Sequence, residues 1–223
     1  MTDGPTETAD GEWLRGWLAG PQMTRWDALP PQVGDPAPDL ELETADGSMI
    51  ELSSLWANGP ALLMFWRHYG CSCGMDRAAR LRDEYAAYVA AGASVGVIGM
   101  GEPALASAYA QRQALPCRVL CDPDRRAYRA YGLLEGDTPH ILFDAPDAFL
   151  RREAEAGREL QESRRGTERA LVDDPWQLPG EFVVDGAGVI HLTYRYQYCE
   201  DYPDPRVLVA ALRIASGELT RRP

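Results

Sequence analysis

Ala61-Leu62-Leu63-Met64-Phe65-Trp66-Arg67-His68-Tyr69-Gly70-Cys71-Ser72-Cys73-Gly74 is the stretch on which the reading of this chain turns. It begins as an apolar run short enough for one buried strand. From Cys71 the apolar positions take helical spacing to about Ala90, with Ala78, Leu81, Tyr85 and Tyr88 on one face. Two cysteines therefore fall where a strand hands over to a helix. The free N–H groups and positive dipole end of a helix favour thiolate over thiol. The thiolate is the nucleophile in thiol chemistry. Arg67 and His68 add positive charge nearby.

Outward from this junction, strands and helices alternate. Upstream, Leu40–Thr44 and Ser48–Leu52 flank Asp46-Gly47 and read as a hairpin. Downstream, Ser94–Met100 is a second apolar strand, and Glu102-Pro103 opens a helix. Arg118–Cys121 is a short strand, and Asp122-Pro123-Asp124 starts a short helix that Gly132 stops. Residues 135–175 break the rhythm. Their Arg, Glu and Ala content between 145 and 170 predicts helix outside the sheet, a solvated face that shades the site. Glu181–Asp185, Gly186-Ala187-Gly188 and Val189–Tyr196 form a closing hairpin. Asp204 caps the last helix, with Pro205 in its first turn. The order predicts an α/β fold of thioredoxin-like arrangement: a central mixed sheet with helices on both faces, an N-terminal hairpin, and a helical insertion before the last hairpin.

Residues 1–30 read as a partly disordered N-terminal arm, and 31–223 as the domain. Within the arm, Trp13, Leu14, Trp17 and Leu18 have helical spacing. They are expected to cover the domain edge, with a homodimer contact as the sharper alternative.

Composition removes several function classes. A net charge of −12 argues against a nucleic-acid surface. No apolar run is long enough to span a membrane. Met1–Glu12 lacks the basic start and apolar centre of a signal peptide, so a cytoplasmic location is expected. The 22 basic residues are all Arg, which excludes a lysine nucleophile. The five cysteines, Cys71, Cys73, Cys117, Cys121 and Cys199, are too sparse for a disulfide framework. Their spacings match no zinc pattern, and His140 and His191 lie in unrelated segments, so no metal site is expected.

Val33-Gly34-Asp35-Pro36-Ala37-Pro38 and Phe65-Trp66-Arg67-His68-Tyr69-Gly70-Cys71 carry a family resemblance. From residue 33 to about Ser216 the chain resembles the peroxiredoxin-like branch of the thioredoxin superfamily, related to alkyl hydroperoxide reductases. The helical insertion is similar to that of the peroxiredoxin-like 2 group. The resemblance implies a thiol-dependent oxidoreductase. Cys71 attacks a hydroperoxide or a disulfide, a second thiol resolves it, and a thioredoxin-like dithiol restores the site without any bound cofactor. The alternative is a redox sensor or interaction protein that keeps the fold with a degenerate site.

Three departures from the family pattern bear on the site. Peroxiredoxins place Thr three residues before the peroxide-reacting Cys, whereas His68 stands there before Cys71. The Arg that peroxiredoxins carry before the closing hairpin is replaced by Pro179. Thioredoxins have a cis-proline at that point, which implies a cis Leu178–Pro179 bond with Pro179 against Cys71. Close relatives also often have Cys-x-x-Cys where this chain has Cys-x-Cys. On a regular helix, side chains two residues apart point to different faces. A Cys71–Cys73 disulfide therefore requires Cys71 to lie outside the helix, which leaves Cys73, Cys121 and Cys199 open as the resolving thiol. The candidate site is Cys71, Cys73, His68, Arg67 and Pro179, with Met100, Trp66 and Tyr69 as walls.

Overall fold

The computed structural model describes residues 28–137 and 174–219, together with Arg15, Leu18, Ala19, Trp26, Ile141, Arg151, Ala154, Glu155, Arg158 and Glu162. Ala61–Phe65, the strand at the heart of the deciding stretch, is buried along its whole length. This is β3, counted after β1 (Glu41–Thr44) and β2 (Met49–Glu51). It pairs in parallel with β4 (Ser94–Gly99) and antiparallel with β6 (Gly180–Val184). β5 (Arg118–Cys121) lies parallel to β4, and β7 (Ile190–Arg195) closes a hairpin with β6. The seven strands run in the order β2-β1-β5-β4-β3-β6-β7. The mixed sheet is the expected one, because the two crossovers keep β3, β4 and β5 parallel while each hairpin adds antiparallel strands.

The helices that flank the sheet include α1 (Ser72–Ala90), α2 (Pro103–Arg112), α3 (Arg126–Ala130) and α4 (Pro205–Ala215). Side-chain alternation divides the core into two layers. Leu62 and Met64 of β3 meet Leu81, Tyr88, Tyr109, Leu208 and Leu212 on one face. Ala61, Leu63 and Phe65 meet Leu52, Leu55, Tyr128 and Tyr131 on the other. Asp204 accepts from the Arg206 N–H at 2.9 Å, as an N-cap does. Asp122 accepts from the N–H groups of Arg126 and Ala127 and so fixes the start of α3. Gly92 ends α1 with φ of 79°, a left-handed conformation that suits Gly.

Glu135 and Gln177 form an isolated bridge, and Arg125 pairs with Asp174, so the chain leaves the fold and returns to it at neighbouring points. Between them, Arg151, Ala154, Glu155, Arg158 and Glu162 are helical and exposed, in keeping with a solvated helical face. The rest of the 145–170 expectation lies outside the described residues, as do His140, Trp13, Leu14 and Trp17. Leu18 is helical and 74% exposed, so it does not cover the domain edge. No helix among the described residues is long and apolar enough to cross a membrane.

Candidate redox site

The sheet delivers the chain to the site. The Trp66 N–H donates to Ile98 O at 2.9 Å, after which the backbone leaves the sheet and turns, with Cys71 N–H donating to His68 O at 3.1 Å. Cys71 is extended, with φ −81° and ψ 131°, and is the N-cap residue of α1. Its carbonyl accepts from Gly74 N–H at 3.1 Å, the first bond of the helix. Cys71 therefore lies outside the helix while Cys73 lies in its first turn. The break in helical twist brings their Cα atoms to 5.3 Å, and the two sulfurs form a disulfide. The condition set by the Cys-x-Cys spacing is met, and Cys73 is the partner of Cys71.

Arg67 faces this pair. Its Nη1 lies 2.9 Å from Cys71 Sγ and 3.8 Å from Cys73 Sγ. Its Nε donates to Gln177 O at 3.3 Å and its Nη2 to Pro175 O at 2.5 Å, so the segment before β6 aims the fork. Only 2% of Arg67 is exposed. A buried guanidinium beside a sulfur has far more to gain from a thiolate than from a neutral thiol.

His68 is buried, and its carbonyl is what receives the Cys71 N–H. Tyr69 stacks on Tyr109 with ring centroids 4.5 Å apart. A Cβ at Gly99 would stand 2.1 Å from the Tyr69 hydroxyl oxygen, so Gly99 is what admits that ring. Trp66 packs edge-on against Tyr109 in the same layer as Tyr69. Met100 belongs to the opposite layer, so it is not a wall of this site.

The expected cis bond at Leu178–Pro179 is absent: the peptide is trans. Leu178 N–H donates to Leu134 O at 2.9 Å, and Pro179 O accepts from Tyr196 N–H at 3.1 Å. Gly180 then pairs directly with Phe65. The segment enters β6 already extended, a conformation that trans proline accommodates. Pro179 lines a cavity of about 10 Å³ together with Cys73, Cys199, Tyr196 and Tyr202. A space of that size holds about one water. Pro179 thus stands on the Cys73 side of the pair.

Cys121 and Cys117 are not part of the site. Cys121 pairs with Gly99 in the sheet and packs in the core, and Cys117 precedes the same strand. Burial pushes each thiol up to about 12. Cys121 packs in a different cluster from Cys71 and Cys73. Cys199 does reach the site, because Cys71, Cys73 and Cys199 share one buried cluster with Trp176, Leu178 and Ile141.

Behind the sulfurs lies a charged network that the sequence reading missed. Arg77 Nε donates to Glu181 Oε1 at 2.7 Å, and its Nη1 to Glu84 Oε2 at 2.8 Å. The Tyr196 hydroxyl donates to Glu181 Oε1 at 2.8 Å, and the Tyr88 hydroxyl to Glu84 Oε2 at 2.7 Å. Burial opposes the Arg77 charge, but Glu181, Tyr196 and Glu84 together hold it ionised well beyond the ordinary range. The available sign was Glu181 itself, a lone acid in the apolar strand Gly180-Glu181-Phe182-Val183-Val184.

The AhpC/TSA family pattern matches residues 33–193, a span that includes Arg67, Cys71, Cys73 and Pro179. A curated relative, thioredoxin-like protein AAED1, chloroplastic, of Arabidopsis thaliana, is 27% identical over 164 residues. That match covers 72% of this chain and 64% of the relative, so the chain spans about two thirds of the relative's length. Peroxidoxin BcpB of Mycobacterium tuberculosis has a similar fold, with a TM-score of 0.55 and 18% identity over 82% of this chain and 97% of its own. A thiol peroxidase of Chromobacterium violaceum gives a TM-score of 0.55 and 16% identity, covering 86% of this chain and 91% of its own. A putative thiol:disulfide interchange protein DsbE of Chlorobium tepidum gives 0.53 and 18%, covering 82% and 99%. At these identities the solved structures speak for the thioredoxin-like fold alone, while the family match covers most of the chain: this protein belongs to the AhpC/TSA family, in the peroxiredoxin-like branch of the thioredoxin-like proteins.

Proposed function

We propose that this chain is a thiol-dependent oxidoreductase that cycles Cys71 and Cys73 between dithiol and disulfide. The observation that carries the reading is the Cys71–Cys73 disulfide with the buried Arg67 fork on its sulfurs. In the reduced protein, Arg67 and the N-terminus of α1 hold Cys71 as a thiolate. Its sulfur attacks one oxygen of a hydroperoxide, the O–O bond breaks, and the other oxygen leaves and takes a proton as the alcohol. Cys71 is then a sulfenic acid. Cys73 attacks that sulfur, the S–O bond breaks, water leaves, and the disulfide forms. With a disulfide substrate, Cys71 attacks one sulfur and the other leaves as a thiolate; Cys73 then attacks Cys71 Sγ and displaces the sulfur that Cys71 captured. An external dithiol of thioredoxin type takes up the oxidation and restores both thiols.

A redox sensor is the second reading. It is supported by the burial of the pair: Cys71 has no exposed surface, and the adjoining cavity has room for about one water. The two readings share the disulfide and differ in turnover. Supplying hydrogen peroxide with excess thioredoxin and its reductase separates them. Continuous consumption of peroxide, lost in Cys71→Ser, supports the enzyme. A single stoichiometric oxidation that stays unreduced under the same conditions supports the sensor.

A further inference from the structure

We propose that Cys199 is a third redox-active thiol, which takes over the disulfide from the buried pair by attacking Cys73. The proposal rests on the dithiol–disulfide reading of Cys71 and Cys73, and it names the route by which that site is reached from outside.

Three observations point to it. First, Cys199 is a buried thiol in one cluster with both disulfide cysteines, whereas Cys117 and Cys121 lie elsewhere. Cys199 and Cys73 line the same small cavity, and Cys71 is not among the residues that line it. Second, the segment carrying Cys199 is anchored to the start of α1. The Tyr202 hydroxyl donates to Cys73 O at 2.9 Å, and the Arg80 guanidinium lies 4.8 Å from the Tyr202 ring centroid. Asp201 ties the same segment together, accepting from the Tyr194 hydroxyl and from Gln197 N–H, each at 2.9 Å. Third, Arg67 is asymmetric: its Nη1 is nearer to Cys71 Sγ than to Cys73 Sγ, at 2.9 against 3.8 Å.

Thiol–disulfide exchange is fastest when the leaving sulfur is the better-stabilised thiolate. Arg67 makes Cys71 that leaving group, so the electrophilic sulfur is Cys73, the one beside Cys199. In the exchange, Cys199 first loses its proton to water. Its sulfur then bonds to Cys73 Sγ, the Cys71–Cys73 bond breaks, and the electron pair departs on Cys71 as a thiolate beside Arg67. No outside oxidant or reductant is consumed. The oxidation now sits on Cys73–Cys199, and Cys199 follows Gln197 and Tyr198, both of which are exposed. An external dithiol can reach that segment, whereas Cys71 has no exposed surface.

Trypsin makes the exchange readable. Cleavage after Arg67 and Arg77 leaves Cys71 and Cys73 in one peptide, 68–77, and cleavage after Arg195 and Arg206 leaves Cys199 in peptide 196–206. Full-length protein is reduced, oxidised with one equivalent of hydrogen peroxide, held at pH 8, trapped with N-ethylmaleimide and digested. A 68–77 to 196–206 cross-link is expected in the parent protein. It is expected to be absent from Cys71→Ser, which peroxide does not oxidise, and to be at least tenfold scarcer in Cys73→Ser. In the oxidised parent, reduction by dithiothreitol is expected to slow about tenfold on Cys199→Ser.

The relay is overturned if peptide 68–77 loses two hydrogens while Cys199 stays fully maleimide-labelled in the oxidised parent. It is overturned equally by cross-links to the Cys117 and Cys121 peptides at the same abundance, or by an unchanged reduction rate in Cys199→Ser. If the oxidised parent gives neither an internal disulfide in peptide 68–77 nor a cross-link from it to 196–206, the dithiol–disulfide reading itself fails, and the relay with it.

Discussion

Arg67 Nη1 lies 2.9 Å from the Cys71 sulfur, held there by two backbone carbonyls from the segment that leads into β6. The cation and the nucleophile are four residues apart on one loop, yet it is Pro175 O and Gln177 O, more than a hundred residues away, that orient the guanidinium. The geometry makes the two cysteines unequal.

Cys71→Ser should abolish the reaction with hydroperoxide and with disulfide reagents. Cys73→Ser should leave the first oxidation intact and let a sulfenic acid persist at Cys71. A sulfenic-acid trap added after peroxide, followed by peptide mass analysis, reads both. Trapping that survives Cys71→Ser and vanishes in Cys73→Ser would reverse the two roles.

Replacing Arg67 with Met removes the charge that favours the thiolate. The pH at which the reduced site is half-maximally alkylated should rise by roughly one to two, the usual effect of losing an opposite charge at this distance. The sign follows from the cation favouring the deprotonated sulfur, so its loss moves the profile to higher pH. Arg67→Lys keeps the charge but not the fork and should recover part of the shift. Iodoacetamide rates between pH 5 and 10 give the profile, and an unmoved midpoint would remove Arg67 from the chemistry.

Cys117 and Cys121 should be silent at pH 8 in the native fold. With each thiol pushed up to about 12 by burial, the thiolate fraction is about a thousandfold below that of an ordinary cysteine. Time-resolved alkylation should label reduced Cys71 long before either of them, and both should label at once in guanidinium chloride. Fast native labelling at Cys121 would keep it on the list of resolving thiols.

Gly99→Ala places a methyl group where the Tyr69 hydroxyl now sits. Tyr69 or the strand must move, at a cost of roughly 1–3 kcal/mol for overpacking. Because Tyr69 stands two residues before Cys71, reactivity with peroxide should fall together with stability. Urea unfolding and peroxide consumption, measured on the same variant, test the coupling. Stability and rate both unchanged would mean that Tyr69 has another resting place.

Arg77→Met leaves Glu181 without its cation in a strand with no exposed residue. The expected loss is about 3–5 kcal/mol, the range for breaking one side of a buried pair. The double change Arg77→Met with Glu181→Leu should recover most of it. A single variant as stable as the parent by urea denaturation would show that the pair is not needed for folding.

Much of the fold was legible along the chain because its cause is local. Alternating apolar runs and helical faces give β3, α1, β4 and β5; Asp46-Gly47 gives the first hairpin, and Asp204-Pro205 gives the start of α4. The strand-to-helix junction placed Cys71 and Cys73 before any coordinate was known, and their spacing set the condition for a bond between them. Contacts across long stretches of sequence decided the rest. The backbone state of Cys71 follows from the turn anchored by Trp66 on β4. The trans form of Pro179 follows from its segment joining β6 beside Tyr196. Glu181 found Arg77, and Cys199 found Cys73, only when β6 and the segment after β7 closed over the start of α1. Periodicity records which face of an element is buried, and it carries no information about which distant side chain meets that face. The sequence by itself therefore determined the elements and the reactive junction, and tertiary packing decided which groups surround the sulfurs.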